Sequence, residues 1–456
     1  MSDGDPTARR LVVTTGDMAY GPHAVARADG KVLFVRGAAP DEEVEVTVRE
    51  ERARYGYADV TAVRRPSAQR RVAPCPYLPR CGGCPWQHLD YAAQLAAKHR
   101  IVMEQLRRLG GLEVEVAAPL PSPREFGYRR RVKLRVADGI VGFHAAASHD
   151  LVAIDHCLLA EPSVDAAIAT LAPLVGRLRS AVRRLEIAAG GADDRVVIAG
   201  EVEGAWVEDD DSACRGWLAE RAEVAAGLLL RGRGWRRAWG DGTISAPSAG
   251  GPPLRLQAPS FTQVNDGANR LLIDCVLRHV APRPGLRVLD LYAGAGNLSL
   301  PLRRAGAEVT AVEQDRDAAA AARANAAAEE GPPLRVLAMN AEAAVQRLAE
   351  AGECFDVVLL DPPRSGAAGC LPWLTAPRLI YVSCDPTTLA RDLRGLSTAY
   401  RVDAVQPIDF FPQTYHVETV VAATRACDPD TPGVAFARRQ RTADAARRHR
   451  RRGRPS

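Results

Sequence analysis

The sequence predicts an α/β protein with a Rossmann-like sheet, preceded by a small β-barrel and a central α+β region. From about residue 285, near-continuous apolar strands alternate with helical stretches, a pattern typical of a parallel sheet covered on both faces. The first 65 residues instead alternate apolar and polar positions between glycines, which indicates an OB-like barrel. The predicted units are a barrel at 1–66, a central domain at 72–258, a Rossmann-like domain at 259–428 and a disordered arginine-rich tail at 429–456.

Length and composition narrow the class of protein. A chain of 456 residues can form two or three domains. No apolar run is long enough to cross a bilayer, and the N-terminus MSDGDPTARR lacks the apolar core of a secretory signal. We therefore expect a cytoplasmic, monomeric protein without a membrane partner. Nine arginines in residues 438–456 contribute more positive charge than the whole net charge of +5, so the rest of the chain is slightly acidic.

Seven apolar segments predict the strands of the Rossmann-like sheet. They are LRVLDL, AEVTAVE, LRVLAM, FDVVLL, RLIYVS, RVDAVQPI and HVETVVAAT. The last two are joined without a spacer of helix length, so we expect the last strand to be antiparallel. Residues 90–110 have the periodicity of an amphipathic helix ended by two glycines, and we expect this helix to pack on the Rossmann-like domain.

Polar signals lie where these strands end, at the edge of the sheet where ligands bind. The first strand runs into DLYAGAGNLSL, in which Gly294 and Gly296 allow a tight turn, but Ser299 breaks the dinucleotide fingerprint. Glu313 ends the second strand and suits the hydroxyls of a ribose. Because no GKS or GKT motif is present, a nucleoside without phosphates such as S-adenosylmethionine is favoured. DPPRSG at 361–366 ends the fourth strand in a rigid turn.

A cysteine and a glutamate provide candidate reactive groups. Cys384 ends the fifth strand, directly before a helix capped by Asp385 or Thr387, and we expect the helix dipole to acidify its thiol. Glu418 begins a buried strand, where burial raises a carboxyl pKa and makes it a better base. A thiolate, a base and a methyl donor are the groups needed to methylate C5 of a pyrimidine, whose C5 becomes nucleophilic only after a thiolate adds to C6.

The motifs DPPRSG, SCDPTTLARDL and FPQTYHVE, with FTQVN at 261–265, resemble those of the uracil-C5 RNA methyltransferases of 23S rRNA and tRNA. The resemblance covers nearly the whole chain and implies a class I methyltransferase domain, with Cys384 as nucleophile and Glu418 as base. It also implies cofactor contacts at Gln263, Tyr292, Asn297, Glu313, Asn340 and Asp361. Two positions depart from the family: Gln413 stands where histidine is common, and Ala293 where cysteine is common.

A second group of cysteines suggests a metal site. CPYLPRCGGCPWQH contains Cys75, Cys81 and Cys84, and Cys157 is the best fourth ligand because its neighbours also form a turn between strands. Four thiolates suit zinc or a [4Fe–4S] cluster equally well. The resemblance to the rRNA branch of the family implies the [4Fe–4S] cluster.

The expected partner is RNA. The N-terminal barrel stands in the place of the family's TRAM domain, and barrels of this kind bind single-stranded RNA through basic and aromatic side chains. Basic stretches at 64–71 and 124–135 would extend that surface, with Tyr128 stacking on a base or contacting phosphate. The barrel and the cysteines favour 23S rRNA over tRNA as the substrate.

Two other functions are weaker alternatives. An RNA cytosine-C5 methyltransferase would carry a second cysteine in the motif that here reads DPPRSG. An RNA-binding protein with a redox cluster and an inactive methyltransferase fold would not need both Cys384 and Glu418.

Overall fold

The computed structural model describes residues 9–426 and begins with a closed barrel. Its strands pair in the order β1-β2-β3-β5-β4. They are β1 (Arg10–Met18), β2 (His23–Ala28), β3 (Lys31–Arg36), β4 (Glu43–Glu51) and β5 (Tyr55–Arg65). The alternating pattern of the sequence therefore does close a barrel. The arginine-rich tail predicted at 429–456 lies outside the described residues, and no helix within 9–426 is long and apolar enough to span a bilayer.

One seven-stranded sheet forms the centre of the chain, in the order β12-β11-β10-β9-β6-β7-β8. Helices α2 and α3 pack against it, and a hairpin leads on to the next domain. The elements are α1 (Tyr91–Arg108), β6 (Arg131–Ala137), β7 (Ile140–His144), β8 (Leu151–Ala153), α2 (Pro162–Arg177), β9 (Ala181–Ala188), β10 (Val196–Glu203), α3 (Asp210–Glu220), β11 (Ala225–Gly232), β12 (Trp235–Gly240), β13 (Thr243–Ala246) and β14 (Leu254–Gln257).

The last domain contains the predicted Rossmann-like sheet, ordered β17-β16-β15-β18-β19-β21-β20. Its elements are α4 (Asp266–Val280), β15 (Arg287–Leu291), α5 (Ser299–Arg304), β16 (Glu308–Glu313), α6 (Arg316–Ala327), β17 (Arg335–Ala338), α7 (Ala341–Glu350), β18 (Val357–Leu360), β19 (Arg378–Ser383), α8 (Pro386–Leu396), β20 (Tyr400–Ile408) and β21 (Glu418–Arg425). Strands β15 to β19 are parallel, and β21 is antiparallel to both of its neighbours. The predicted fold class is therefore confirmed, including the antiparallel last strand.

The position of β21 determines which residues meet at the edge of the sheet. The chain forms β20 at the outside and then returns, so that β21 lies between β19 and β20. The register pairs Val382 with Val420 and Ser383 with Thr419. One further step of this antiparallel register brings Cys384 opposite Glu418.

Helix α1 precedes the central sheet in sequence but packs on α8 of the last domain. Its residues Val102 and Leu106 join the core on one face of the Rossmann-like sheet. Lys98 of α1 is wholly buried, and its Nζ donates to Asp409 Oδ1 at 2.6 Å and to the Phe411 carbonyl at 3.0 Å. Since a buried charge needs a partner, this ion pair holds the segment that leads to β21 against α1.

Candidate active site

A solvent-open cavity lies beside the turn that follows β15. Four of the six predicted cofactor residues line it, namely Gln263, Tyr292, Asn297 and Asp361. Concave sites with a few polar groups among apolar ones commonly hold small molecules. These four side chains come from three segments: Gln263 precedes α4, Tyr292 and Asn297 share the turn after β15, and Asp361 follows β18. The turns after β15 and β18 are at the carboxyl edge of the sheet, which is where the strand pattern had indicated a ligand.

Backbone geometry explains the glycines of this turn. Gly294 and Gly296 have φ of 55° and 98°, a region that favours glycine, and a Cβ added at Gly294 would meet no atom within 4 Å. A ligand can therefore approach the Gly294 backbone. Below the turn, Asp290 is wholly buried and accepts from the Ser299 hydroxyl, while its Oδ1 has no hydrogen-bond partner among the described residues. Burial raises the pKa of Asp290 to about 7.

Glu313 and Asn340 do not line this cavity. The Glu313 carboxylate accepts from Gly294 N at 2.9 Å and from Asp315 N at 2.7 Å, so both of its oxygens support the turn. Asn340 Oδ1 accepts from the backbone amides of Glu342 and Ala343 and caps α7. A contact from either side chain to a nucleoside stays a prediction.

Cys384 lies half-buried in the turn between β19 and α8. Asp385 Oδ1 caps α8 by accepting from the amides of Thr387 and Thr388 at 2.9 and 3.0 Å. Burial, followed by the Glu418 carboxyl, raises the pKa of Cys384 to about 12. The expectation of an acidified thiol is therefore wrong for the protein without substrate. Loss of hydration and the carboxyls of Glu418, Asp361 and Asp385 raise the pKa of this thiol, and among the described residues only the charge of Arg364 is found to oppose them.

The sheet brings Glu418 and Asp361 together beside Cys384. Glu418 is only 5% exposed, and burial, followed by the charge of Asp361, raises its pKa well above the usual carboxyl value. Burial also raises the pKa of Asp361. The predicted rise in the pKa of Glu418 is thus confirmed. Asp361 also lines the cavity, so its side chain lies next to both the cavity and the Cys384–Glu418 pair.

Arg364 and His416 complete the site, although the sequence patterns did not single out either role. The guanidinium of Arg364 opposes the rise in the pKa of both Cys384 and Glu418. Its Nη2 lies 3.4 Å from His416 Nε2. Burial, followed by the Arg364 charge, lowers the pKa of His416 to about 4, so this imidazole is neutral at physiological pH. The arginine of DPPRSG could have been noticed, because a thiolate among carboxyls needs a cation nearby.

Two residues of the predicted motifs have structural roles. Gln413 is wholly buried, and its Oε1 accepts from Arg71 Nη2 at 2.7 Å and from Gln94 Nε2 at 2.9 Å. Gln413, which stands where histidine is common in the family, is therefore part of a buried hydrogen-bond network. Tyr128 is 5% exposed and donates to the Pro412 carbonyl at 3.1 Å. The prediction that Tyr128 stacks on a base or contacts phosphate is wrong because its ring is buried.

Several arginines of the two basic stretches also point inward. Arg70 pairs with the buried Glu42, and Arg131 pairs with Glu186 and donates to two backbone carbonyls. The prediction that these stretches extend an RNA surface is wrong for these arginines. The barrel instead displays a half-buried group of rings, the barrel aromatic face: His23, Phe34, Tyr55 and Tyr57. The rings of Phe34 and Tyr57 are stacked with centroids 5.4 Å apart.

The cysteine cluster consists of Cys75, Cys81, Cys84 and Cys157, all of them half-buried thiols. Tyr77 joins its two segments, because its hydroxyl lies 3.0 Å from His156 Nδ1. Burial, and then the charge of Cys157, raises the pKa of Cys84. The donor set thus has the chemistry of a four-thiolate site. Among residues 9–426, however, no three His, Cys, Asp or Glu side chains lie close enough together to hold a metal ion.

Two parts of this chain match known protein families. The tRNA (Uracil-5-)-methyltransferase family matches residues 254–426, and the TRAM domain matches residues 11–61. The relatives include the 23S rRNA (uracil(1939)-C(5))-methyltransferase RlmD of Thiobacillus denitrificans, 38% identical over 422 residues, which are 88% of this chain and 97% of that protein. The protein of the same name from Pseudomonas putida is 36% identical over 431 residues, covering 91% of this chain and 94% of that protein.

A solved structure shares the fold. The tRNA (uracil-54, C5)-methyltransferase of Pyrococcus abyssi, in complex with S-adenosyl-L-homocysteine, superimposes with a TM-score of 0.70 at 24% identity. The match covers 91% of this chain and 99% of that one. Together with the identity to the relatives over most of the chain, these matches confirm the resemblance that the motifs carried, and the chain belongs to the RNA uracil-C5 methyltransferase family.

Proposed function

We propose that this protein transfers a methyl group from S-adenosylmethionine to C5 of a uridine in RNA. The observation that carries the proposal is the β19–β21 register, whose last pair, Ser383 with Thr419, is directly followed by Cys384 and directly preceded by Glu418. Both of these side chains are near Asp361, which lines the cavity. A thiol and a base at one place are the two groups that C5 methylation of a pyrimidine requires.

The residues of the cavity fit S-adenosylmethionine. The turn leaves the Gly294 backbone open to a ligand, and Gln263 and Asn297 offer amide groups for hydrogen bonds. Asp361 lies between this cavity and the reactive pair. When bound, S-adenosylmethionine supplies an electrophilic methyl group.

Cys384 and Glu418 then have successive roles. The Cys384 thiol releases its proton to solvent, and Sγ bonds to C6 of the uracil. The C5–C6 π pair becomes a C4–C5 double bond, and the C4–O4 π pair moves onto O4 to give an enolate. The positive charge of Arg364 favours both the thiolate and this enolate. C5 of the enolate accepts the methyl group as the sulfonium–methyl bond breaks and S-adenosylhomocysteine leaves, and the Glu418 carboxylate removes the remaining C5 proton. The C6–S bond then breaks, which restores the C5–C6 double bond and frees the thiolate.

The preferred substrate is 23S rRNA, because the relatives that align with most of this chain are named as 23S rRNA methyltransferases. The target base must leave its stack to reach Cys384. The TRAM barrel and its aromatic face can hold adjacent unpaired bases by stacking. A tRNA substrate is the second candidate, because the Pyrococcus abyssi neighbour is a tRNA enzyme and matches nearly the whole chain.

Methyl transfer to defined RNA tests this proposal. We expect purified protein to move labelled methyl from S-adenosylmethionine to C5 of one uridine in 23S rRNA from a strain lacking the gene. The matched substrate is tRNA from the same strain. Incorporation into tRNA alone would replace the rRNA assignment by the tRNA one. Incorporation into cytosine, or into neither RNA, would overturn the proposed reaction.

We further propose that the cysteine cluster binds a [4Fe–4S] cluster, with zinc as the alternative. The support is the donor set of four thiols and the contact between Tyr77 and His156 that joins its two segments. Metal and sulfide analysis of protein purified without oxygen tests this. Iron and acid-labile sulfide near four per chain are expected for a [4Fe–4S] cluster, whereas one zinc without sulfide would favour the alternative.

A further inference from the structure

The barrel contacts the turn that carries Cys384. Tyr20 lies between β1 and β2 of the barrel, and its hydroxyl donates to Asp385 Oδ2 at 3.1 Å. Its ring also meets the edge of Tyr415 with centroids 5.6 Å apart. Tyr20 is therefore a side chain from the barrel that bonds to the residue next to the nucleophile.

Buried contacts hold this barrel turn in place. The Gly21 carbonyl accepts from the indole of Trp86 at 3.0 Å, and the backbone N of Trp86 donates to the Gln413 carbonyl at 3.1 Å. Trp86 is wholly buried, and it shares a core with Met18 of β1 and Ile101 of α1. Trp86 thus links the barrel turn, through its indole, to the segment that leads to Glu418, through its backbone N. The position of the Tyr20 hydroxyl is fixed by packing, as a role in positioning requires.

The two oxygens of Asp385 have different partners. Oδ1 caps α8, whereas Oδ2 accepts from Tyr20. Ser383 Oγ also donates to the Asp385 carbonyl at 3.0 Å, which closes the turn around Cys384. The Tyr20 hydroxyl therefore fixes the second oxygen and withdraws negative charge from a carboxylate that neighbours the thiol.

We propose that Tyr20 is a positioning residue for the methyl transfer reaction, acting through Asp385 so that the barrel completes the turn of the nucleophile. The inference rests on the proposed function of Cys384. It gives the barrel a part in the chemistry as well as in RNA binding. The barrel aromatic face begins at His23, and the Ala19 amide donates to the His23 carbonyl at 2.9 Å. RNA bound to that face would therefore contact His23, which closes the short turn that contains Tyr20.

The test compares Tyr20→Phe with Tyr400→Phe. Tyr400 is a matched control, because its hydroxyl donates to the Ala376 carbonyl at 2.7 Å at the far end of β20. One readout is the alkylation rate of Cys384 against pH, followed on its own peptide by mass spectrometry. The others are kcat, KM for RNA and the yield of covalent adduct with RNA containing 5-fluorouridine.

We expect Tyr20→Phe to lower both the alkylation rate and kcat by about tenfold, because a hydrogen bond to a charged group is lost, while KM changes less than about twofold. Tyr400→Phe should leave the alkylation rate unchanged. In an Asp385→Asn background, Tyr20→Phe should add little, because the two residues act in one pathway. Unchanged alkylation and kcat in Tyr20→Phe, or a change in KM alone, would overturn the inference. If the wild-type protein forms no adduct at Cys384, the proposed function fails instead, and alkylation still tests the role of Tyr20.

Discussion

Cys384 and the cysteine cluster present the same functional group in two different surroundings. All five thiols are half-buried, and burial is the main cause that raises the pKa of both Cys384 and Cys84. The next influence differs: it is the Glu418 carboxyl at Cys384 and the thiol of Cys157 at Cys84. A single thiol beside a base and a cation suits attack on carbon, whereas several thiols together suit a metal. Neighbouring side chains thus decide between the two roles.

The largest effect that this comparison predicts is the loss of methyl transfer in Cys384→Ala. We expect kcat to fall by at least about a thousandfold, because no other group can form the bond to C6. Cys354→Ala is the matched control, since the Cys354 thiol donates to the Gly352 carbonyl and belongs neither to the cysteine cluster nor to the lining of the cavity. Incorporation of labelled methyl into RNA measures both variants. Methyl transfer that survives in Cys384→Ala would contradict the role of Cys384 as nucleophile, and with it the distinction from the cysteine cluster.

Glu418→Gln should separate bond formation from proton removal. The amide has nearly the shape of the carboxyl but cannot accept the C5 proton, so kcat should fall by about a hundredfold or more. Cys384 is intact in this variant and should still add to C6. A protein–RNA adduct that persists in denaturing gels is therefore expected with ordinary RNA. Full loss of the adduct would mean that Glu418 acts before the thiol adds.

Cys84→Ser should have a smaller effect on chemistry and a larger one on metal content. We expect the bound metal to be lost and the melting temperature to fall, while kcat drops less than about tenfold, because this thiol does not touch the reacting base. Cys214→Ser is a control for a buried thiol outside the cluster. Metal analysis and thermal unfolding measure the two variants. A kcat as low as that of Cys384→Ala would place the cysteine cluster in the reaction itself.

The sequence predicted the parts of the site that depend on local pattern. Strand and helix periods gave the sheet, and the polar residues Glu313, Asp361 and Cys384 could be placed at the strand ends. The expected direction of the Cys384 pKa was wrong because this pKa depends first on burial of the thiol and then on Glu418. Only the insertion of β21 between β19 and β20 brings Glu418 near.

Contacts between segments that are far apart in the sequence could not be predicted from local patterns either. Tyr20 and Asp385 meet through the packing of the barrel, a contact that neither local stretch indicates. The predictions for the arginine runs were wrong for the same reason. Arg70 pairs with Glu42, which precedes β4, and Arg131 of β6 pairs with Glu186 of β9, so both partners are distant in the sequence.

The smallest effect concerns the thiol of Cys384 without RNA. Its pKa is raised to about 12, so the reactive thiolate is scarce at neutral pH. The alkylation rate at Cys384 should therefore climb by about tenfold per pH unit from about pH 7 to about pH 9, with no plateau. The Glu418 carboxyl contributes to that raised pKa, so Glu418→Gln should lower it and speed alkylation several-fold at a given pH. Mass spectrometry of the Cys384 peptide measures this rate. A plateau near neutral pH in the wild-type protein would show that the helix N-terminus outweighs burial and the carboxyls after all.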